Sequence, residues 1–185
     1  MTNIYLEASP NPNSLKFVVN YLLVPDGAVY DFPDRESSLN SPLATALFDF
    51  NYVKRVFIMN NFVTVTKDEQ VEWETIREEL RSFLHDYLES GKTILHGDAK
   101  QEASGTQESE LSMKIRTLLE EYVKPAVEQD GGAIEFHSFE DGVVKVLLQG
   151  SCSGCPSSLI TLKAGIENLL TAMIPEVKAV EAEGI

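Results

Sequence analysis

One polar stretch divides this chain of 185 residues and limits what it can fold into. Between Leu95 and Leu111 no residue is both apolar and larger than alanine. Such a stretch cannot bury enough surface to offset the conformational entropy that is lost when a chain becomes ordered. The sequence therefore predicts a flexible linker over residues 91–110, with one small domain at 1–90 and a second at 111–185.

The first segment has the pattern of a mixed domain of strands and helices. Turn-forming residues 10–14 and the pair Asn60-Asn61 separate short β-rich runs, and Ser41-Pro42 is typical of a helix start. Apolar residues then recur at helical spacing. We expect strands at 4–8, 15–21, 53–59 and 62–67, a short helix after Ser41, and a longer helix at 71–88.

The second segment repeats this theme on a smaller scale. Its apolar periodicity and turn signals predict a helix over 111–128, strands at 133–139 and 143–148, a helix over 158–173 and a last strand at 177–182. Pro125 should kink or end the first of these helices, whose inward face is expected to include Tyr122. The fold class is therefore α+β, with two small α/β-sandwich-like domains joined by a flexible linker.

The charge of the chain argues against two classes of partner. The formal net charge is −14, and none of the three segments is basic overall. Nucleic acids and anionic membrane surfaces recruit basic patches, so we expect neither as a partner. The first residues lack the pattern of a signal or transit peptide, which favours a cytoplasmic protein, or a mature form whose presequence is missing.

The chemistry of the chain is concentrated in one window, Gly150-Ser151-Cys152-Ser153-Gly154-Cys155-Pro156. It lies between a predicted strand and a predicted helix, and it holds both cysteines of the chain. A Cys-x-x-Cys spacing in a turn lets two thiolates converge on one centre, and the glycines allow close backbone approach. The positive end of the following helix favours thiolate over thiol. We interpret Cys152 and Cys155 as ligands of a soft metal or cluster.

The number of ligands indicates how such a centre would be completed. A structural zinc ion or a cubane cluster usually takes four protein ligands, whereas this chain has two cysteines. Its three histidines, His85, His96 and His137, have no partner at ligand spacing. The simple way to four sulfurs is a homodimer in which each chain contributes Cys152 and Cys155 across a two-fold axis.

Three other interpretations of the cysteine pair remain open on the residues alone. The spacing also occurs in thiol–disulfide oxidoreductases, which place Cys-x-x-Cys between a strand and a helix. A zinc ion could bridge two chains for purely structural reasons. Two ordinary cysteines without a ligand are a poor match, because flanking glycine and serine residues are unusual in a core.

The second segment resembles the NifU C-terminal, or Nfu, domain family. The resemblance rests on Val123-Lys124-Pro125, Asp130-Gly131-Gly132 and the window from Gly150 to Ser158. The first segment resembles the N-terminal domain that accompanies it in Nfu scaffold proteins, through residues 10–17, residues 41–44 and the hairpin at 53–67.

The resemblance implies a function. Members of this family are scaffolds or carriers that bind a [4Fe–4S] cluster at a dimer interface and deliver it to apo-proteins, without acting as enzymes. Carried over by position, Cys152 and Cys155 are the cluster ligands. The implied partners are a second copy of the chain, apo iron–sulfur client proteins and an upstream cluster donor. Four thiolates also suit a [2Fe–2S] cluster, so the ligand count does not fix the cluster type.

Overall fold

The computed structural model describes residues 1–97, 109–153 and 156–184, and it divides the chain into two compact units, Met1–Gln101 and Glu102–Ile185. Each unit combines helices with one sheet, which confirms the α+β class. Most of the segment expected to be a linker lies outside the described residues. Within them, no helix has the length and apolar character needed to cross a membrane.

The first unit is built on a five-stranded antiparallel sheet in the order β1-β2-β5-β4-β3. Its elements are β1 (Ile4–Ala8), β2 (Ser14–Val19), β3 (Val29–Phe32), a 3₁₀ turn (Ser37–Asn40), α1 (Pro42–Leu47), β4 (Val53–Met59), β5 (Phe62–Lys67) and α2 (Trp73–Glu89). The hairpin β4–β5 turns at Asn60, whose φ of 46° is a conformation that asparagine tolerates. Both helices pack on one face of the sheet and form a single core.

Two features of the first unit differ from the prediction. Strand β3 has only four residues in a turn-rich stretch, and it forms because it pairs with β4. Residues 91–97 belong to this unit and not to a linker, since Ile94 and Leu95 pack against its core. The Ser41 hydroxyl donates to the carbonyl of Ile94 (2.7 Å) and also caps α1 by accepting from the N–H of Ala44 (3.1 Å).

The second unit is built on a three-stranded sheet in the order β6-β7-β8. Its elements are α3 (Glu110–Leu118), a π-helical turn (Leu119–Val123), α4 (Lys124–Gln129), β6 (Gly132–Glu140), β7 (Val143–Gly150), α5 (Pro156–Met173) and β8 (Ala179–Gly184). Strands β6 and β7 form an antiparallel hairpin that turns at Asp141-Gly142, both with positive φ. Strand β8 pairs parallel with β7, so β7, α5 and β8 form a βαβ unit.

The π-helical turn accounts for the misplaced Tyr122. Pro125 cannot donate a backbone hydrogen bond, and just before it the N–H of Lys124 bonds to the carbonyl of Leu119, five residues back. The wider turn changes the rotation of the helix, and Tyr122 is 55% exposed instead of facing the core. Met173, the last residue of α5, is also exposed.

The packing of β7 in the core of the second unit determines the position of the cysteine window. Alternate residues of β7 (Val144, Val146 and Leu148) are fully buried against the helices. Helix α5 contributes Ile166 and Leu170 to the same core. The window thus begins at the carboxyl end of β7, the edge of an open α/β sheet where ligands are most often bound.

Candidate functional site

The cysteine window begins with a tight turn at the end of β7. Gly150 has a φ of 69°, a backbone conformation that residues with a β-carbon rarely adopt. The N–H of Ser153 then donates to the carbonyl of Gly150 (3.1 Å), which closes the turn around Cys152. Helix α5 begins at Pro156, the last residue of the window, so its positive end lies close to both cysteines along the chain.

Ser151 connects this turn to the residues between α4 and β6. Its hydroxyl donates to the backbone carbonyl of Asp130 (2.5 Å), and its N–H donates to the carbonyl of Gly131 (3.4 Å). Gly131 has a φ of 86°, which lets the chain reverse there. These hydrogen bonds therefore join two segments that are separate in the sequence, Asp130-Gly131-Gly132 and Gly150-Ser151-Cys152.

Glycines on the two strands that flank β7 lie against the turn formed by residues 150–153, the cysteine turn. A β-carbon at Gly132, the first residue of β6, would lie 2.9 Å from the Sγ atom of Cys152. A β-carbon at Gly184, the last residue of β8, would lie 2.9 Å from the hydroxyl of Ser153. Both distances are shorter than a normal contact between such atoms. The turn can therefore take this position only because residues 132 and 184 have no side chain.

Cys152 is buried in this position. Only 6% of this residue is exposed, and it belongs to the apolar core of the second unit. The interpretation of the cysteines as poor core residues was therefore wrong for Cys152, because the flanking glycines make room for its side chain. Cys155, the second predicted ligand, lies outside the described residues.

The three histidines lie on segments of the chain other than the cysteine turn. His85 is half-buried on α2, His96 is exposed near the end of the first unit, and His137 is exposed on β6. Among the described residues, no group of three or more histidine, cysteine, aspartate and glutamate side chains is placed to hold a metal ion. Within the described residues, the donor set thus remains the thiol of Cys152.

The motif at residues 10–17 of the first unit has a structural role. The side-chain oxygen of Asn11 accepts from the N–H of Asn13 (3.0 Å), and the indole N–H of Trp73 donates to the carbonyl of Pro12 (2.9 Å). The ammonium group of Lys67 lies 3.3 Å from the side-chain oxygen of Asn13. These contacts hold the β1–β2 turn against α2 and β5.

Sequence reasoning missed the residues that support the cysteine turn. It identified Asp130-Gly131-Gly132 only as a turn and as part of the family motif, and it gave Ser151 no role. The available signal was the pair of glycines directly before a strand, since adjacent glycines often mark a close approach of another backbone or side chain.

Comparison with protein families accounts for both units. Residues 4–91 match the family model described as "Scaffold protein Nfu/NifU N terminal", and residues 115–181 match the NifU-like domain. This chain belongs to the Nfu/NifU scaffold family. The matches bear out the resemblance that the motifs around Asn11 and Cys152 indicated.

Curated relatives match the chain over almost its whole length. Proteins from Drosophila persimilis and Drosophila erecta, both named "NFU1 iron-sulfur cluster scaffold homolog, mitochondrial", are 42% and 43% identical over 181 residues. The matches cover 96% of this chain and 64% of each relative, so the chain spans about two-thirds of their length. A solution NMR structure of a NifU-like protein from Saccharomyces cerevisiae aligns with a TM-score of 0.46 at 27% identity, covering 53% of this chain and 87% of that one.

The expected cytoplasmic location was wrong. The relatives that match 96% of the chain are named as mitochondrial proteins. The expectation relied on the first residues of the sequence, and these residues are a poor guide where the chain corresponds to only part of its relatives.

Proposed function

We propose that this chain carries an iron–sulfur cluster as cargo, holds a [4Fe–4S] cluster between two copies of itself through Cys152 and Cys155, and transfers it to apo-proteins. The observation that carries the proposal is the Cys-x-x-Cys window at the carboxyl end of β7, directly before α5, in a member of the Nfu/NifU scaffold family. Thiolates are the ligands that iron–sulfur clusters take in proteins.

The shared cluster follows from the number of donors. Two cysteines in the sequence provide two thiolates, whereas cubane and rhombic clusters are held by four. Two copies related by a two-fold axis supply the missing pair, because each surface meets its own equivalent in such a dimer. A cluster held at this boundary can leave when the two copies separate, which suits a carrier better than a permanent electron-transfer centre.

The buried position of Cys152 adds a step to this scheme. Its Sγ atom lies beside Gly132 within the core, so a cluster can bind only after the turn brings the thiolate to the surface of the unit. Loading therefore requires a local rearrangement of the turn formed by residues 150–153. Such openings cost less than global unfolding, and they are common in segments that bind ligands.

The first unit has a separate task in this proposal. Its own core and its structural use of residues 10–17 give it no part in holding the cluster. We assign it to the recognition of client proteins, where binding a client raises the local concentration of the cluster near the client's own cysteines. Transfer proceeds by stepwise exchange of thiolate ligands, so the chain acts as a carrier and not as an enzyme.

Single substitutions test the ligand assignment. Cys152→Ser and Cys155→Ser should each abolish cluster binding and any dimer that depends on the cluster, since each removes two of four thiolates from the pair of chains. Ser138→Ala, a small change on β6 at a half-buried position, is the matched control and should retain both properties. A dimeric Cys152→Ser protein with the wild-type iron content would overturn the assignment.

Two rival chemistries give different results in the same preparations. A dimer bridged by zinc would contain zinc and no acid-labile sulfide. A thiol–disulfide oxidoreductase would exchange disulfides catalytically without iron. Metal analysis and an insulin-reduction assay on the wild-type protein distinguish both from a cluster carrier.

A further inference from the structure

Gly132 occupies a position where any side chain would conflict with a backbone group of β7 and with the side chain of Cys152 in the cysteine turn. A β-carbon there would lie 2.6 Å from the backbone carbonyl oxygen of Gln149 and 2.9 Å from the Sγ atom of Cys152. It would also lie 3.4 Å from the β-carbon of Cys152. The absence of a side chain at residue 132 is thus a condition for the buried position of the thiol.

The direction of the resulting displacement follows from what surrounds the turn. Gln149 belongs to β7, and its neighbour Leu148 is fully buried in the core. Cys152 is in a turn that follows the strand, where less of the backbone is fixed by pairing. A side chain at residue 132 would therefore strain the pairing of β6 with β7 through the Gln149 carbonyl, and it would in addition displace the cysteine turn, for which the packed core leaves outward motion as the open route.

We propose that Gly132 is a positioning residue for the Cys152 thiolate, and that its missing side chain sets the depth at which this sulfur rests before the cluster is loaded. The inference deepens the proposed function, since it rests on Cys152 being a cluster ligand. Gly132 acts through Cys152 and does not itself touch the cluster. A buried sulfur is protected from alkylating and oxidising agents while the carrier is empty.

The depth of the Cys152 sulfur affects two properties of the chain, the protection of the thiol from reagents and its availability for cluster loading. A thiol held in the core reacts slowly, and it becomes available only in the fraction of molecules whose turn has opened. A side chain at residue 132 raises the fraction of molecules whose turn is open. The empty carrier then loses its cysteine to oxidation more readily, although each thiolate is more accessible to an incoming cluster.

The test measures the accessibility of the Cys152 thiol without any iron. In the 185-residue chain carrying Cys155→Ser, Cys152 is the one remaining cysteine, so the rate of modification by iodoacetamide reports on it alone. We expect Gly132→Ala to raise this rate by about tenfold, because a larger fraction of molecules have the turn open. Unfolding of each variant is followed in parallel by circular dichroism.

Gly142→Ala in the same background is the matched control for general destabilisation. Gly142 has a φ of 85°, and a β-carbon there would lie 2.9 Å from the side chain of Lys178, at the opposite end of the β6–β7 hairpin. It should therefore strain the same hairpin while leaving the rate of Cys152 modification within about twofold of the parent. Equal acceleration by both substitutions, or none by Gly132→Ala, would overturn the inference.

Cluster reconstitution of Gly132→Ala with both cysteines present separates this inference from the proposed function. If wild-type protein binds no cluster, the proposed function fails, whereas the alkylation rates still decide the role of Gly132. If wild-type protein binds a cluster, we expect Gly132→Ala to load one faster, because a larger fraction of its molecules already have the turn open. An unchanged rate of loading would contradict a positioning role.

Discussion

The hydroxyl group of Ser151 donates a hydrogen bond of 2.5 Å to the backbone carbonyl of Asp130, 21 residues earlier in the chain. This bond joins the end of α4 to the first residues after β7, and Ser151 is almost fully buried. It connects the two halves of the family motif physically. The position of the adjacent Cys152 thus depends on a residue that holds no metal itself.

Ser151→Ala should destabilise the second unit and loosen the cysteine turn. Losing a buried hydrogen bond costs about 1 kcal/mol, which corresponds to a fall of about 4–8 °C in Tm for a domain of this size. Differential scanning calorimetry of the full chain measures the shift. The control is Ser138→Ala, for which we expect a smaller change, and equal Tm values for the two variants would contradict the role of Ser151.

In the first unit, we expect that breaking the ion pair between Arg55 and Asp31 lowers the free energy of unfolding far more than breaking an exposed ion pair does. The guanidinium group donates to both carboxylate oxygens at 2.8 and 2.6 Å, and the side chains are only 13% and 5% exposed. Asp31→Ala leaves a largely buried positive charge without this carboxylate, which should cost about 3 kcal/mol in the free energy of unfolding. Urea denaturation measures this change.

The exposed pair of Arg35 and Asp49 provides the comparison. Its atoms are 2.7 Å apart, but the side chains are 56% and 65% exposed. Asp49→Ala should therefore cost less than about 1 kcal/mol. Similar losses for Asp31→Ala and Asp49→Ala would show that burial does not set the strength of these pairs.

The stability of the first unit should also respond to acid through Asp68. The N–H of Gln70 (3.0 Å) and the ammonium group of Lys54 (3.2 Å) hold the pKa of this carboxyl below its ordinary value of 3.8. Because the folded pKa is the lower one, the ionised group stabilises the fold above the ordinary pKa. This contribution is lost as the pH falls through the folded value.

An NMR titration of the Asp68 carboxyl carbon checks this direction. Lys54→Ala should raise the pKa of Asp68 but leave it below the ordinary value, since the hydrogen bond from Gln70 remains. A pKa of Asp68 at or above the ordinary value in the wild-type chain would contradict the prediction.

Removing the first unit should leave cluster binding intact and slow the transfer of the cluster to clients. Each unit has its own buried core, so residues 109–185 should fold and bind a cluster without the first unit. The same piece should transfer its cluster more slowly than the full chain to at least some clients. Failure of the isolated piece to hold a cluster would contradict the proposed division, and residues 1–97, which should bind none, serve as the control.

The elements that could be predicted from the sequence are those with local causes. The hairpin β4–β5 has the predicted bounds, because two β-rich runs flank a pair of asparagines that tolerate a tight turn. Strand β3 could not be found in this way. Its four residues form a strand because β4 offers an edge to pair with, and that partner lies more than 20 residues away.

The candidate site was predictable in its chemistry and less so in its geometry. Spacing and residue type identified Cys152 as a ligand candidate. Its burial could not be predicted, because it depends on the absence of a side chain at Gly132, in a strand that is adjacent only in the folded chain. The exposure of Tyr122 likewise depends on the π-helical turn, which helical periodicity does not anticipate.

Anaerobic reconstitution with iron and sulfide, followed by metal and sulfide analysis and size-exclusion chromatography, tests the central claim most directly. We expect about four irons and four acid-labile sulfides per two chains, in a dimeric peak that absorbs near 400 nm, the signature of a shared cubane. A colourless monomer without bound iron or sulfide would contradict the claim that Cys152 and Cys155 of two chains hold a cluster.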